Sequence, residues 1–309
     1  MDVRRMKAVA GMVVVMAGCV GAAQAAPSQA EMDQVKAEVK AAAQHGPVDV
    51  ALKDQAVLHL PAGEIFIPHD TALHLLHVMG NPGDDPSLVG MILPTAGDAD
   101  WVMPVEFKDS GYVKDDDARD WKADELLDSY RKGTEQANKQ RQDMGVPGLE
   151  ILGWAQPPSY DAGRQRLVWA MKSREIGAPA DAPLGVNYNT YALGRDGYFE
   201  MNLVTQLDEL PQLRGVAEQQ LAALEYKPGK RYQDFDAKTD HVAEYGLAAL
   251  VVGVAAKKLG LIALLGAFLL KFAKVGLVGL AVLGGSVGRM FRRKPKAAPA
   301  GRRLDTPRA

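Results

Sequence analysis

The chain has 309 residues, of which 47% are hydrophobic, and this is enough for one or two folded domains with a substantial core. Its formal net charge of -2 conceals an acidic body, with 21 basic and 35 acidic side chains in residues 27–241, which excludes the basic surface typical of nucleic-acid binding. The single cysteine, Cys19, excludes a disulfide framework, a thiolate metal site and a cysteine nucleophile in that body.

The N-terminus has the three parts of a secretion signal. Three basic residues among the first seven precede an apolar run over residues 8–19, and Ala23-Gln24-Ala25 fits a signal-peptidase site. We therefore expect residues 1–25 to be a signal peptide that exports the residues after it. An alternative is a lipoprotein signal, in which Cys19 carries the lipid.

The first part of the exported region alternates short helices and strands. Ser28 and Glu31 have the spacing of a capping box, which predicts that a helix begins there. The turn Pro61-Ala62-Gly63 separates two short apolar runs and predicts a β-hairpin between them. The elements predicted here are helices over residues 28–44 and 70–78, and strands over residues 56–60, 64–67, 88–93 and 101–107.

The second part begins with a charged helix after Asp120, which the turn Val146-Pro147-Gly148 ends. Asp196-Gly197, between two alternating segments, is a strong hairpin signal. Short connections favour an antiparallel meander, and an amphipathic helix over residues 207–224 is expected to cover one of its faces. The predicted strands of the meander are residues 149–156, 166–174, 186–193 and 198–206. These patterns predict an α+β fold, mainly antiparallel sheet with flanking helices, and a C-terminal hydrophobic helical anchor.

The C-terminal region has an apolar stretch over residues 245–287 that four lysines interrupt. Because an exported body and a basic C-terminus require an odd number of crossings, we expect one crossing within residues 259–290, with residues 245–258 at the interface. A hairpin of two longer helices is the alternative. Lys271 and Lys274 within the apolar stretch either face a partner helix, which favours self-association of the anchor, or require the crossing to begin near Phe272.

These patterns divide the chain into four regions and predict its location. We expect a signal peptide (1–25), an extracytoplasmic α+β domain (26–241), a membrane-anchor region (242–291) and a basic cytoplasmic tail (292–309). The predicted location is the bacterial cytoplasmic (inner) membrane, with the main domain outside the cytoplasm. The lipid bilayer is therefore one expected partner, and an envelope protein or cell-wall component is another.

Four stretches of the chain resemble a bacterial membrane-anchored family, domain of unknown function 2167. They are Asp109-Ser110-Gly111-Tyr112-Val113-Lys114-Asp115-Asp116-Asp117, Gly153-Trp154 with Pro157-Pro158-Ser159-Tyr160-Asp161, Val186-Asn187-Tyr188-Asn189-Thr190, and Gly229-Lys230-Arg231-Tyr232. The resemblance covers about residues 50–290. It implies a single extracytoplasmic α+β domain with a hydrophobic C-terminal anchor, and it brings no activity, cofactor or catalytic residue.

The acidic loop, residues 109–120, is the first candidate site. Its carboxylates are hard oxygen ligands suited to a divalent cation, but their spacing is not that of an EF-hand loop. An acidic run before a helix also stabilises the helix dipole without any metal, and we favour this interpretation. The residues of this loop assigned to a candidate binding surface are Asp109, Tyr112, Lys114, Asp115, Asp116 and Asp117.

A second set of candidates lies on the predicted meander, where aromatic and amide side chains could converge on a peptide- or glycan-binding face. Packing in the core is the competing interpretation, since aromatic residues in strands are usually buried. Asn187 and Asn189 share a face and must be either solvated or hydrogen-bonded. The set consists of Trp154, Tyr160, Trp169, Asn187, Tyr188 and Asn189.

Other motifs in the sequence lack the context that their chemistry needs. His69, His74 and His77 belong to no known zinc-binding spacing, so we expect no metal site there. The G-x-S-x-G match at residues 284–288 lies in the apolar tail and not at a strand-to-helix turn, so a helix contact is the better interpretation. No phosphate-binding glycine loop stands at a strand–helix junction, and we expect no cofactor.

Two hypotheses for function remain open at this point. The favoured one is a non-enzymatic envelope module that binds or scaffolds a partner. The alternative is a metal-dependent or hydrolytic envelope enzyme that uses the acidic loop.

Overall fold

A computed structural model describes residues 28–78, 84–95, 101–119, 121–143 and 147–252. The predicted signal peptide, the predicted crossing and the candidate helix cap Asp120 lie outside the described residues. No helix in these ranges is both long and apolar enough to cross a membrane.

Within these residues the chain forms five α-helices, thirteen β-strands and two short 3-10 helices. The helices are α1 (Gln29–Ala42), α2 (His69–Val78), α3 (Ala123–Asp143), α4 (Leu210–Ala223) and α5 (Leu247–Val252). The strands are β1 (Gln44–His45), β2 (Val48–Leu52), β3 (Ala56–Leu60), β4 (Glu64–Pro68), β5 (Leu88–Pro94), β6 (Met103–Lys108), β7 (Tyr112–Lys114), β8 (Leu149–Asp161), β9 (Arg166–Glu175), β10 (Gly185–Leu193), β11 (Tyr198–Gln206), β12 (Leu224–Tyr226) and β13 (Val242–Gly246). The 3-10 helices are Asp116–Arg119 and Tyr232–Asp234.

A large antiparallel sheet forms the centre of the fold. Its eight strands follow the order β1-β4-β5-β6-β11-β10-β9-β8, so β6 and β11 join the N-terminal half to the meander. A smaller sheet has the order β12-β3-β2, and β7 pairs in parallel with β13. The predicted α+β fold, its mainly antiparallel sheet and the four-stranded meander are confirmed.

One face of the large sheet is covered by α4 and the three-stranded sheet. Met103, Phe199 and Leu203 point toward this layer and are buried with Leu58 and Leu221 in one apolar cluster. The alternation of side chains along β6 and β11 places every second residue on this face. The predicted role of the helix after the meander, to cover the sheet, is therefore confirmed.

The opposite face of the large sheet is covered by two separate helix pairs. Helices α1 and α2 pack on β4 and β5, and the capping box of α1 forms as predicted, with Glu31 N–H donating to Ser28 Oγ at 3.2 Å. Helices α3 and α5 pack over the meander, where Leu126 and Leu250 are buried with Trp169. The central strands β6 and β11 lie between the two pairs.

The predicted hairpin between β3 and β4 is wrong. β3 pairs with β2 and β12, whereas β4 pairs with β1 and β5 in the large sheet. The reason lies in burial, because residues 64–67 are all buried while His59 in β3 is exposed. A strand buried on both faces needs a layer on each side, so the turn at Pro61-Ala62-Gly63 carries the chain from one sheet to the other.

Strand β8 is longer than predicted because it continues through Pro157 and Pro158 to Asp161. The strand lies at the edge of the large sheet, and its pairing with β9 shifts register around the two prolines. A proline lacks the N–H group that a central strand needs, but it is tolerated at an edge or a bulge. Prolines there also discourage pairing with another chain.

The start of the same edge is protected by side chains of α3. Asn138 Nδ2 donates to Leu149 O at 2.8 Å, and Leu149 N–H donates to Asn138 Oδ1 at 2.8 Å. Arg131 donates from Nε to Ile151 O at 3.2 Å. These bonds satisfy backbone groups that would otherwise be open to strand addition.

We predict that Asn138→Ala lowers the free energy of unfolding by about 1–3 kcal/mol, because two partly buried backbone groups lose their partners. It should also raise the tendency to aggregate, since the start of β8 becomes available for pairing. Chemical denaturation and light scattering of the full-length protein measure the two effects. Lys139→Ala, on the exposed side of α3, is the matched control, and an equal loss in both variants would contradict the role of Asn138.

Candidate functional site

The acidic loop pairs with the beginning of the C-terminal segment. β7 lies within this loop and pairs in parallel with β13, and Tyr112 N–H donates to His241 O at 2.8 Å. Gly111 has a φ of 79°, and a β-carbon there would lie 2.6 Å from His241 O. The close approach of the two segments therefore requires glycine at this position.

Asp117 caps the helix that follows β13. Its Oδ1 accepts from Leu247 N–H and its Oδ2 from Ala248 N–H, both at 3.0 Å. A carboxylate at this place satisfies two of the unpaired N–H groups at the helix start and favours the helix dipole. A β-carbon on Gly246 would lie 2.5 Å from Asp117 Oδ2, so the carboxylate fits only against glycine.

Asp115 is bonded to the edge strand of the meander. Tyr160, which lies near the end of β8, donates from its hydroxyl to Asp115 Oδ2 at 2.8 Å. Burial, together with this hydrogen bond to Asp115, raises the pKa of Tyr160. The tyrosine therefore stays protonated and acts as a donor at neutral pH.

Aromatic rings surround this contact. The Tyr112 ring stacks on Tyr232 and on Phe235, with centroid distances of 4.3 and 3.9 Å. Tyr232 donates from its hydroxyl to Val113 O at 2.9 Å, and burial raises the pKa of both tyrosines. Three of the four stretches that carry the family resemblance thus meet here. We refer to Tyr112, Asp115, Tyr160 and Tyr232 as the tyrosine cluster.

The remaining residues of the acidic loop face solvent. Asp109, Lys114 and Asp116 are exposed, whereas Tyr112 and Asp115 are half-buried. The loop therefore has two kinds of side chain, some bonded within the domain and some available at its surface. Of the run Asp115-Asp116-Asp117, which the sequence assigned as a whole to a candidate binding surface, Asp115 and Asp117 are bonded within the domain and Asp116 is exposed.

The candidates on the meander do not come together on one surface. Trp154 donates from Nε1 to Ala123 O at 3.1 Å and packs under α3. Asn189 is only 4% exposed and its Nδ2 donates to the backbone O of Asn187 at 3.0 Å, so the expected hydrogen bonding is found for Asn189, whereas the Asn187 side chain is half-buried. Tyr188 is 0% exposed and lies on the opposite face of the sheet, beside Glu218 of α4.

The histidines near α2 make separate local contacts. His69 Nδ1 lies 2.7 Å from Leu88 O, His74 Nδ1 contacts Glu38 Oε2 at 2.5 Å, and His77 Nε2 lies 3.6 Å from Asp84 Oδ1. Among the residues that the structure describes, no three His, Cys, Asp or Glu side chains are arranged to hold a metal ion.

Sequence reasoning missed an ion pair next to the segment that pairs with the acidic loop. Arg195, in the turn between β10 and β11, donates from Nε and Nη2 to the two oxygens of Asp240, each at 2.7 Å. The hydrogen bond from Arg195 holds the pKa of Asp240 well below its usual range. The pairing spans 45 residues of sequence, so no local pattern indicates it.

Sequence reasoning also missed two buried acids in the large sheet and a groove beside α3. Glu106 in β6 and Glu200 in β11 are direct neighbours across the strands. The only available signal was a single charge inside each apolar strand. The groove has a volume of about 840 Å³, lies between α3 and the ends of β8 and β9, and includes Ile176, whose exposure is 59%.

We predict that Asp117→Asn destabilises the start of α5, because the amide group of asparagine cannot accept from both N–H groups. The expected loss is about 1–2 kcal/mol in the free energy of unfolding, with faster amide hydrogen exchange at Leu247 and Ala248. Exchange measured by mass spectrometry on the full-length protein reports the local effect.

Asp116→Asn is the matched control for that variant, since it removes the same charge from the neighbouring exposed side chain. We expect it to leave exchange at α5 unchanged. Equal exchange at α5 in the two variants would show that the charge of the loop matters and the cap does not.

Comparison with known proteins gives a family and a distant structural likeness. No curated protein matches the sequence. The solution structure of cyanobacterial PsbP (CyanoP) from Synechocystis sp. PCC 6803 is similar at 10% identity and a TM-score of 0.35, over 68% of this chain and 98% of that one. A likeness at this level carries no functional argument. The model of the family described as a protein of unknown function, DUF2167, matches residues 43–282, and the chain belongs to this family.

Proposed function

We propose that this protein is a binding or scaffold module of the bacterial cell envelope, exported by its N-terminal signal and held at the cytoplasmic membrane by its C-terminal apolar segment. The observation that carries the proposal is the clamp formed by the acidic loop on β13 and α5. Two backbone N–H groups of α5 bind Asp117, and β13 pairs with β7. These contacts thus hold the start of the apolar segment against the folded domain.

The clamp limits the distance between the domain and the predicted anchor. Helix α5 ends at Val252, and the predicted crossing begins near Leu259, so only residues 253–258 separate them. Six residues span at most about 20 Å even when fully extended. The domain is therefore expected close to the bilayer surface.

The distribution of charge supports a C-terminus on the cytoplasmic side of the membrane. The residues after 241 include 12 basic and two acidic side chains, and most of the basic ones follow the apolar stretch. Basic residues flanking an apolar segment favour the cytoplasmic side, where anionic headgroups attract them. The acidic body is then on the opposite side of the membrane.

The competing hypothesis is a metal-dependent or hydrolytic envelope enzyme that uses the acidic loop. Such an enzyme needs carboxylates that are free to bind an ion or to activate water. Asp115 and Asp117 already accept hydrogen bonds from Tyr160 and from the start of α5. Their arrangement therefore favours a structural role for the loop.

A binding role uses the part of the loop that remains exposed. Asp109, Lys114 and Asp116 are exposed in the same loop as the half-buried Tyr112, so this loop offers charged and aromatic groups near the predicted membrane-proximal segment. An envelope protein or a cell-wall component is the expected partner at this surface. The lysines of the predicted anchor add self-association within the bilayer.

The first test is the membrane topology of the full-length protein. We expect a fluorescent reporter that folds only in the cytoplasm to be active when fused after Ala309, and alkaline phosphatase at the same place to be inactive. The reverse result would exclude the single crossing with the domain outside. It would favour a hairpin anchor or an inverted orientation.

The second test asks whether the exposed part of the loop binds a partner. We expect protein purified from native membranes to retain a specific envelope component, identified by mass spectrometry, and a combined Lys114→Glu and Asp116→Lys variant to lose it. Asp208→Asn, exposed just before α4, is the control on the other face of the sheet. Equal recovery in all three proteins would contradict binding at this loop, and bound metal with an Asp116-dependent hydrolytic activity would favour the enzyme.

A further inference from the structure

Two buried carboxyl groups lie side by side at the centre of the large sheet. Glu106 and Glu200 are direct cross-strand partners, with exposures of 1% and 5%. The two strands that carry them, β6 and β11, form the seam between the N-terminal half of the sheet and the meander. Side chains opposite each other in an antiparallel pair have β-carbons about 4.5–5.5 Å apart, which is close enough for the two carboxyl groups to reach each other.

Lys108 places an ammonium group beside this pair of carboxyl groups. Lys108 Nζ lies 2.5 Å from Glu106 Oε2, 3.7 Å from Asp85 Oδ2 and 2.5 Å from Ser87 Oγ. Three carboxyl groups thus surround one lysine. Burial opposes the charge on Lys108, but the neighbouring carboxylates of Glu106, Glu200 and Asp85 raise its pKa above the usual value.

One carboxylate oxygen lacks a donor. Glu106 Oε2 is bonded to Lys108, but Glu106 Oε1 is buried and accepts no hydrogen bond from any residue that the structure describes. A buried carboxylate oxygen without a donor is costly. A protonated Glu200 supplies the missing donor, because it is the residue directly opposite.

We propose that Glu106 and Glu200 hold one proton between them at neutral pH and that this shared proton keeps the seam of the large sheet closed. Loss of the proton leaves two adjacent buried negative charges on β6 and β11. Their repulsion acts on the pairing that joins the two halves of the sheet, so the fold is a pH-sensitive device.

The other groups around the pair are consistent with one shared proton. From β11, Asn202 Nδ2 lies 3.4 Å from Glu200 Oε1. Tyr191 on β10 is the cross-strand partner of Glu200. Tyr130 on α3 also interacts with Glu200, and Tyr198 on β11 interacts with both Glu200 and Tyr245 on β13.

Burial raises the pKa of Tyr191, Tyr130 and Tyr198, so these tyrosines remain uncharged. Lys108 is therefore the cation that faces the pair, and Asp85 adds a third carboxyl group.

The sign of the pH dependence follows from Glu200. Burial, followed by the charge of Glu106, raises the pKa of Glu200 from 4.5 to about 8. Between these values the unfolded chain has lost the proton while the folded protein keeps it, so stability falls as pH rises. The contribution is fully present below about pH 4.5 and is lost above about pH 8.

A second buried acid offers a matched control. Glu64 in β4 contacts Gln220 of α4, and burial raises its pKa to about 7. Its contribution has the same sign but ends near pH 7. Hydrogen bonds to Asp49 and Glu225 also raise the pKa of His59, whose contribution has the same sign, so the part of the fall that belongs to Glu200 is the part that Glu200→Gln removes.

The test measures the unfolding equilibrium of the full-length protein by chemical denaturation from pH 5.5 to pH 9. We expect the folding equilibrium constant of the wild type to fall by up to about tenfold per pH unit between pH 7 and 8. Glu200→Gln should reduce this fall, because its amide has no proton to lose in this range and still donates to Glu106. Glu64→Gln should retain the fall above pH 7 and reduce the one below it.

Infrared difference spectroscopy of the wild type gives an independent measurement if Glu200→Gln does not fold. We expect the C=O stretching band of a protonated buried carboxyl at pH 7 that disappears with a midpoint near pH 8. In Glu106→Gln the midpoint should move to lower pH, because the neighbouring negative charge is gone. An unchanged fall in Glu200→Gln, or the absence of a protonated carboxyl band at pH 7 in Glu64→Gln, would overturn the proposal.

Discussion

The pairing of β6 with β11 holds the two halves of the central sheet together. It joins strands from residues 44–108 to strands from residues 149–206, so the two halves of the central sheet are connected through these two strands. An isolated bridge between Val102 and Val204 extends the same contact. One face of the seam is apolar, with Met103, Phe199 and Met201 under the smaller sheet. The other face includes the two carboxyl groups of Glu106 and Glu200.

The acidic loop extends this organisation toward the C-terminus. Tyr198 of β11, Val113 of the loop and Leu247 of α5 belong to one apolar cluster. The seam, the loop and the first helix of the C-terminal segment are therefore packed against each other, without a free linker between them.

Local patterns in the sequence predict the meander and several helices correctly. Asp196-Gly197 joins β10 and β11, and Ser28 with Glu31 forms the capping box of α1. These features are predictable because the interacting groups are neighbours in the chain. Pairing of β3 and β4 was predicted in the same way and is wrong, since the partners of both strands are set by burial and not by the turn between them. The prolines of β8 misled for a related reason, because their effect depends on whether the strand lies at an edge.

Residue patterns alone predict the α+β class, the order of most elements, the family resemblance and the acidic loop as a region of interest. Which carboxylates have a structural role depends on contacts between distant segments, because Asp117 meets Leu247 across 130 residues of chain. The tertiary structure also separated Tyr188 from Trp154 and Tyr160, and it placed Glu106 beside Glu200. Hydrophobic period and turn chemistry act over a few residues. A hydrogen bond between distant segments, or the burial of a charge, exists only once the sheet and its layers have assembled.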